Sequence, residues 1–287
     1  MSQVSLRLSC GNYAWPNVRH SFVLDLIAEL GFDAVDLGLF SGYSVLEPEQ
    51  VRDDVDRAAE LVGGELATRG LHASDVFGIP DMGLVRMSLS NPDPRDQRES
   101  AEFFHDLLRF TTRLGCKHMT LLPGTVLDGE DAGSSLRRAS EQLRWRVDEA
   151  ATAGVTLGVE PHSGSNLEEP ERVLELIEST PGLTLTLDYG HFVYAGVEQE
   201  AIDVLLDHAS HLHCRGGRAG MVQTRLVDNT IDYARIVSEL QNREFNGYAS
   251  VEYVHDDRPG CSECDNLQEV LAFREHLQGL LRGRARR

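Results

Sequence analysis

The sequence predicts one (β/α)8 barrel, a TIM barrel, that forms a single domain over residues 1–287. Three observations lead to this fold. Short runs rich in Val, Leu, Ile and Thr alternate with longer segments whose apolar residues recur about every 3.6 positions, which indicates repeated strand–helix units and a parallel sheet. About eight such units follow one another without a linker rich in Gly, Pro or Ser. No G-x-G-x-x-G motif follows the first strand, so a dinucleotide-binding doubly wound sheet lacks its main signature.

The strands are predicted by short apolar runs, and glycine begins or precedes many of them. The junction of helix, glycine and strand recurs in LGF, RGL, LGC, AGV, PGL and NGY, as expected where a left-handed residue ends each helix. Amphipathic helices such as SFVLDLIAELGF and EPERVLELIEST separate the strands. The predicted strands are residues 4–10, 34–39, 71–77, 118–124, 155–161, 183–188, 211–216 and 248–254.

Composition limits the function. The formal net charge of -19 argues against a nucleic-acid partner, because such binding neutralises phosphates with basic side chains. The chain has 41% hydrophobic and 25% charged residues and no apolar run long enough for a membrane span.

The start of the chain lacks the features of a secretory signal, so we expect a cytoplasmic protein. Its 5 cysteines are scattered, and the pair Cys261 and Cys264 has no second pair to complete a zinc site.

Four polar residues end four late strands. Glu160 closes VTLGVE, Asp188 closes LTLTLD, His213 closes HLH and Glu252 closes ASVE. The carboxyl ends of barrel strands meet at one mouth, where barrel enzymes carry their chemistry. We therefore expect the four side chains to converge there.

A divalent metal ion would explain this set of residues. Three carboxylates at the edge of an apolar core repel one another unless they are paired or bind a cation. Oxygen ligands with one imidazole nitrogen suit Mn, Co, Mg, Fe or Zn, and the sequence leaves the choice open. His211 lies on the same strand face as His213 but further from the mouth, so we expect a buried structural role for it.

The motifs GVEPH, LDYGH, HLHCRGG, LVDNTIDYARIVSEL and GYASVEY resemble the late-strand motifs of the xylose isomerase-like barrel superfamily. That superfamily includes sugar isomerases, ketose 3-epimerases, inosose dehydratases and endonuclease IV. The resemblance is specific in the carboxyl-terminal half of the chain and covers only the general pattern in the first half. It implies a single metal bound by Glu160, Asp188, His213 and Glu252, with Glu160 and Glu252 also acting as the acid/base pair.

The resemblance also implies substrate contacts and an assembly. His191 matches a residue that contacts a substrate oxygen, and Arg215 or Arg218 matches a substrate-binding arginine. His162 is a further candidate contact, with simple wall packing as the alternative. Barrels of this group commonly form dimers or tetramers, so the resemblance implies a homo-oligomer.

The predicted activity is a metal-dependent isomerase or epimerase acting on a sugar or keto-sugar. A metal that binds a ketone oxygen and a neighbouring hydroxyl acidifies the carbon-bound hydrogen and stabilises the enediolate, and a nearby glutamate takes the proton. Loss of a β-leaving group instead gives the alternative, a lyase or dehydratase of the inosose dehydratase type or one acting on keto-glycosides. An endonuclease IV-like phosphodiesterase is a minor alternative, because no D-x-H follows His213. A non-catalytic sugar-binding barrel would have no need of both glutamates.

Overall fold

The computed structural model describes residues 6–284, and eight parallel strands in this part of the chain close into a barrel. The barrel strands are β1 (Arg7–Gly11), β2 (Ala34–Phe40), β3 (His72–Ile79), β4 (His118–Leu121), β5 (Thr156–Val159), β6 (Thr184–Asp188), β7 (Ala209–Cys214) and β10 (Tyr248–Val251). Each strand pairs with the next in the chain, and β10 pairs with both β7 and β1. The predicted (β/α)8 barrel is therefore confirmed; the first two residues of the predicted first strand, 4 and 5, lie outside the described residues.

Helices surround the barrel, and several of them begin directly after an aspartate that caps them. The side chains of Asp54, Asp93 and Asp131 each accept a hydrogen bond from a backbone N–H in the first turn of the helix that follows. No helix within residues 6–284 has the length and apolar character needed to cross a membrane. The helices are α1 (His20–Glu29), α2 (Pro48–Asp53), α3 (Val55–Ala67), α4 (Pro94–Arg113), α5 (Ala132–Thr152), α6 (Pro170–Ser179), α7 (Tyr189–Tyr194), α8 (Gln199–Asp203), α9 (Tyr233–Asn242) and α10 (Asn266–Arg284).

The chain between β7 and α9 forms a feature that the sequence did not predict. The seventh strand was predicted to continue to residue 216, but it ends at Cys214, and an antiparallel hairpin follows, made of β8 (Gly216–Arg218) and β9 (Met221–Thr224). The Gln223 side chain of this hairpin donates to the Val254 carbonyl at 2.9 Å and accepts from the Val254 N–H at 2.8 Å. The hairpin therefore holds the irregular segment that follows β10 over the carboxyl end of the barrel.

Candidate active site

Four neighbouring strands bring the predicted metal ligands to one end of the barrel. Glu160 directly follows β5, Asp188 ends β6, His213 lies in β7 and Glu252 directly follows β10. These strands are consecutive around the barrel, and Asp188 is the register partner of His213. All four side chains are buried. The structure thus places all four at the barrel end that the sequence analysis predicted.

Glu160, His213 and Glu252 form a compact group. His213 Nδ1 lies 2.5 Å from Glu160 Oε1 and 2.8 Å from Glu252 Oε2, and one potential ligand atom from each residue lies within 4.8 Å of the other two. Glu252 Oε2 is buried, and His213 Nδ1 is its ion-pair contact, but it makes no hydrogen bond of good geometry among residues 6–284. A divalent cation would give such an oxygen a further positive partner. Two carboxylates and an imidazole nitrogen are donors that fit a divalent metal.

Asp188, the fourth predicted ligand, lies beside this group but not within it, and its carboxylate is paired with Arg215. Its Oδ2 accepts a hydrogen bond from Arg215 Nη2, and its Oδ1 accepts one from the Gly190 N–H at 2.7 Å. Arg215 is fully buried, and its Nη1 lies 3.7 Å from Glu252 Oε1. The arginine therefore offsets part of the negative charge at the site and links Asp188 to Glu252.

The two glutamates have different electrostatic surroundings. Burial raises the pKa of Glu160 above its usual range, and the charge of Glu252 acts in the same direction, although His213 opposes the rise. Burial also acts to raise the pKa of Glu252, but Arg215 and His213 outweigh it and lower that pKa. The difference follows from the position of Arg215, whose Nη1 lies 3.7 Å from Glu252 Oε1.

Two histidines beside the group are uncharged. Burial, together with the neighbouring cationic side chains, lowers the pKa of His162 to about 3 and that of His191 well below its usual range. The centres of their rings lie 4.2 Å apart. An arginine contacts each ring: Arg215 Nη2 lies 3.0 Å from His191 Nε2, and Arg258 Nη1 lies 3.2 Å from His162 Nε2. Neutral imidazoles can exchange hydrogen bonds with hydroxyl groups. The structure brings His162, His191 and Arg215 to the site, as predicted.

A second group of potential metal ligands lies deeper in the barrel, behind His213. One potential ligand atom from each of Asp36, Asp75, His211 and His213 lies within 4.8 Å of the others, and all four residues are buried. Asp36 Oδ2 lies 2.7 Å from His211 Nε2 and 3.5 Å from His213 Nε2. His213 therefore faces both groups: its Nδ1 points to Glu160 and Glu252, and its Nε2 points to Asp36.

Asp36 is held firmly within this deeper group. Its Oδ1 accepts hydrogen bonds from the Ser9 hydroxyl at 2.9 Å and the Ser74 hydroxyl at 2.5 Å. Burial acts to raise the pKa of Asp36, but His211 and His213 lower it well below its usual range. These direct partners already satisfy Asp36 and His211, whereas Asp75 Oδ2 and His213 Nε2 have no hydrogen-bond partner among residues 6–284.

A cavity of about 590 Å³ lies above the group formed by Glu160, His213 and Glu252. Glu160 and Glu252 form part of its floor, and Arg258 and Asp256 contribute charged groups near its rim. Most of the wall is apolar. The apolar side chains that line it include Phe40, Tyr43, Phe77, Ile79, Met82, Leu84, Leu122 and Val254.

Some predictions and the structure differ here. Arg218 is exposed and lines a separate surface pocket near Cys264, so the structure does not bring it to the mouth. The sequence analysis did not identify Asp36 or Arg258 as site residues. The sequence AVDLGLF places the acidic Asp36 in an otherwise apolar strand, and this pattern could have identified it as a site residue. No feature of the neighbouring sequence identifies Arg258 in this way.

The family comparison covers nearly the whole barrel. The family described as "Xylose isomerase-like TIM barrel" matches residues 24–280 of the chain. A curated relative, "Probable endonuclease 4" of Mycoplasmoides gallisepticum, is 26% identical over 126 residues. That match spans 42% of this chain and 42% of the relative, so the chain matches less than half the length of that protein.

Several solved structures share the fold. D-psicose 3-epimerase from Clostridium cellulolyticum H10, solved with D-tagatose, is 16% identical with a TM-score of 0.75, over 96% of this chain and 99% of that one. The 3-keto-D-glucoside 4-epimerase of E. coli is 14% identical with a TM-score of 0.71, over 95% and 100%. The IOLI protein, solved with a zinc atom, is 18% identical with a TM-score of 0.71, over 96% and 98%. At these identities the similarity concerns the fold.

Proposed function

Because the chain belongs to the xylose isomerase-like TIM barrel family, we propose that it is a divalent-metal-dependent isomerase or epimerase of a sugar or keto-sugar. The observation that carries the proposal is the convergence of Glu160, His213 and Glu252 at the carboxyl end of the barrel, with potential ligand atoms within 4.8 Å of one another. We propose that these three residues and Asp188 hold one metal ion. The metal's identity is left open among Mn, Co, Mg, Fe and Zn.

Glu160 and Glu252 are proposed as the acid/base pair. A divalent metal supplies Lewis acidity that polarises a substrate carbonyl and weakens the adjacent C–H bond. One glutamate takes the proton from the carbon next to the carbonyl, and a proton returned to the opposite face or to the neighbouring carbon completes the reaction. His162 and His191, held uncharged, are proposed to bind substrate hydroxyl groups, and Arg215 keeps Asp188 and His191 in position.

The charges at the mouth favour an uncharged substrate. Asp256 and Asp257 line the cavity beside the glutamates, and Arg258 bonds to Asp256 at 2.7 Å and is thereby partly neutralised. A phosphorylated sugar would meet repulsion there. DNA would meet the same repulsion between its phosphates and the acidic side chains, and the net charge of -19 adds to it. DNA is therefore disfavoured as a substrate, although part of the chain matches a probable endonuclease.

A second candidate reaction is β-elimination from an oxidised glycoside. The observation that favours it is the apolar wall of the 590 Å³ cavity, formed by residues such as Phe40, Phe77 and Leu84. A sugar ring alone does not need so much apolar surface, whereas a keto-glycoside with an aromatic or aliphatic aglycone does. The chemistry begins with the same proton abstraction, so one site can serve either outcome.

The test is an assay in heavy water. Metal-free protein is reloaded with Mn, Co, Mg, Fe or Zn and incubated with ketohexoses and with a 3-keto-glucoside that carries an aromatic aglycone. Deuterium incorporation with conserved carbon skeleton supports isomerisation or epimerisation, and release of the aglycone supports elimination. Absence of both with every metal, or cleavage of abasic DNA with zinc, would overturn the proposal. Glu171→Gln, an exposed position, is the control for Glu160→Gln and Glu252→Gln.

A further inference from the structure

Two arginines are fully buried in the described part of the chain, and they differ in their partners. Arg215 pairs with the Asp188 carboxylate. Arg146, in α5, has no carboxylate within ion-pair distance among residues 6–284. The charge of Glu149 acts on Arg146, but Glu149 pairs with His105 at 2.9 Å, so Arg146 is a buried positive charge without an ion-paired carboxylate in this part of the molecule.

The contacts of Arg146 are with neutral groups. Nη1 donates to the Gln142 carbonyl at 2.8 Å and to the Gln142 side-chain oxygen at 2.9 Å, and Nη2 donates to the Ser100 hydroxyl at 3.1 Å. The guanidinium also lies 4.1 Å from the centre of the Trp145 ring. Nε has no partner in the described structure.

These contacts compensate only part of the cost of burial. Removing a charged group from water is unfavourable unless an opposite charge accompanies it. Burial lowers the pKa of Arg146 to about 9, which still leaves the guanidinium charged at neutral pH. The side chain thus keeps a positive charge in an apolar environment, and an anion beside it would be strongly favoured.

A cavity of about 50 Å³ lies next to Arg146, between β3 and β4 on one side and α4 and α5 on the other. Ser100 and Arg146 are part of its wall, and most of the remaining wall is apolar. A water molecule needs about 10–15 Å³ of such space, so the cavity accommodates roughly three to five non-hydrogen atoms. The apolar lining residues include Met87, Leu89, Phe103, Phe104 and Leu121.

The other charged side chains at this cavity are already engaged. Asp81 accepts hydrogen bonds from the backbone N–H groups of Gly83 and Arg86, at 3.0 and 2.8 Å. The Arg86 side chain pairs with Glu99. Arg146 is therefore the cation at this cavity that has no carboxylate partner, whereas the Asp81 carboxylate is bonded by backbone N–H groups.

We propose that this cavity binds a short-chain monocarboxylate, of the size of acetate or propionate, with its carboxylate on Arg146 and its alkyl group against the apolar wall. A monoanion matches the single unpaired charge, and a small apolar tail matches the lining. This site is separate from the metal-ligand group and does not depend on the proposed function.

The test uses the full chain and titrates sodium acetate, propionate and butyrate by calorimetry and thermal unfolding. Chloride serves as the inorganic anion, and propionamide as the uncharged analogue of propionate. We expect saturable stabilisation by acetate and propionate and none by propionamide. Stabilisation by chloride equal to that by propionate, or none by either carboxylate, would overturn the proposal and leave a cavity that holds only water.

Two variants and a matched control locate the binding. Arg146→Met should weaken carboxylate binding about tenfold or more, as expected for loss of a charge-assisted hydrogen bond. Leu89→Phe fills the cavity without removing the charge and should abolish binding, so the test still stands if Arg146→Met folds poorly. Arg144→Met removes an exposed arginine from the same helix and should bind like the wild type. Binding retained in both Leu89→Phe and Arg146→Met contradicts the assignment.

Discussion

His213 Nε2 lies 3.5 Å from Asp36 Oδ2, while Nδ1 on the other side of the ring lies 2.5 Å from Glu160 Oε1. A histidine that binds a metal through one nitrogen usually directs the other toward a carboxylate, which fixes the ring orientation. The hydrogen bonds from Ser9 and Ser74 fix Asp36 in turn. Asp36 thus presents a fixed negative charge to the ring nitrogen of His213 that faces away from the two glutamates.

We predict that Asp36→Asn weakens metal binding about 10- to 100-fold, the range measured when such supporting carboxylates are removed. Titration of metal-free protein with Mn or Zn, followed by calorimetry, measures the change. Asp75→Asn is the control, because Asp75 bonds to His118 at 2.7 Å. If both variants lose the metal while Glu160→Gln retains it, the metal occupies the deeper group instead.

Glu160→Gln and Glu252→Gln should each lower turnover by about 10²- to 10⁴-fold, because an amide cannot take or return the proton. Single-turnover assays in heavy water separate the two roles by showing whether the carbon-bound proton still exchanges. Unchanged turnover in either variant would show that the substituted glutamate is not part of the acid/base pair. Its role as a metal ligand is tested separately by the metal titration.

Arg215→Met should lower the stability of the metal-free protein by about 3–5 kcal/mol, because it leaves the buried Asp188 carboxylate without its cation. Added metal should then raise the unfolding midpoint more in the variant than in the wild type, since the metal replaces the missing positive charge. Urea unfolding with and without chelator provides the comparison. An equal metal effect in both proteins would mean that Asp188 does not contribute to the metal site.

His20 predicts a pH dependence of stability. Burial lowers its pKa in the folded protein despite the Glu65 carboxylate 3.0 Å away. The unfolded chain therefore binds the proton more readily, so this contribution is complete above the unfolded pKa, near 6.5, and is lost as the pH falls below it. Unfolding free energies measured from pH 7.5 to 5 should fall less steeply in His20→Gln than in the wild type. An equal slope in the two proteins would mean that His20 does not contribute to the pH dependence.

Gly260→Ala should disturb the segment that carries Arg258 above the mouth. Gly260 has a φ of +89°, and an added Cβ would lie 1.8 Å from the Gln223 carbonyl oxygen. Gly129→Ala is the matched control, because its φ is +78° but nothing lies within 4 Å of the added carbon. The control should lose about 1 kcal/mol from backbone strain alone. Thermal unfolding should show a clearly larger loss for Gly260→Ala, and equal losses would show that the segment moves aside freely.

The ends of the barrel strands could be predicted from the sequence because their signals are local. An acid or histidine that closes an apolar run identifies Glu160, Asp188, His213 and Glu252, and parallel strands bring such residues to one edge. The convergence therefore needed only the correct strand count and order.

The partners of these residues could not be predicted in the same way. The bond between Asp36 and His211 joins positions 175 residues apart and depends on closure of the barrel. Arg258 belongs to an irregular segment without periodicity, and its contact with His162 spans 96 residues. Whether Arg215 or Arg218 reaches the site depends on where β7 ends and the hairpin begins. A shift of that boundary by one residue would turn each side chain to the opposite face.

The Arg215–Asp188 pair also bears on the order of events during biosynthesis. A barrel that enclosed three carboxylates with no internal cation would depend on metal for its assembly, as small zinc domains do. Here the chain supplies a permanent cation of its own at the site. If the protein binds the proposed metal, we therefore expect the barrel to fold first and to bind the metal afterwards. A metal-depleted cell would then accumulate folded, metal-free protein that regains activity when metal is added.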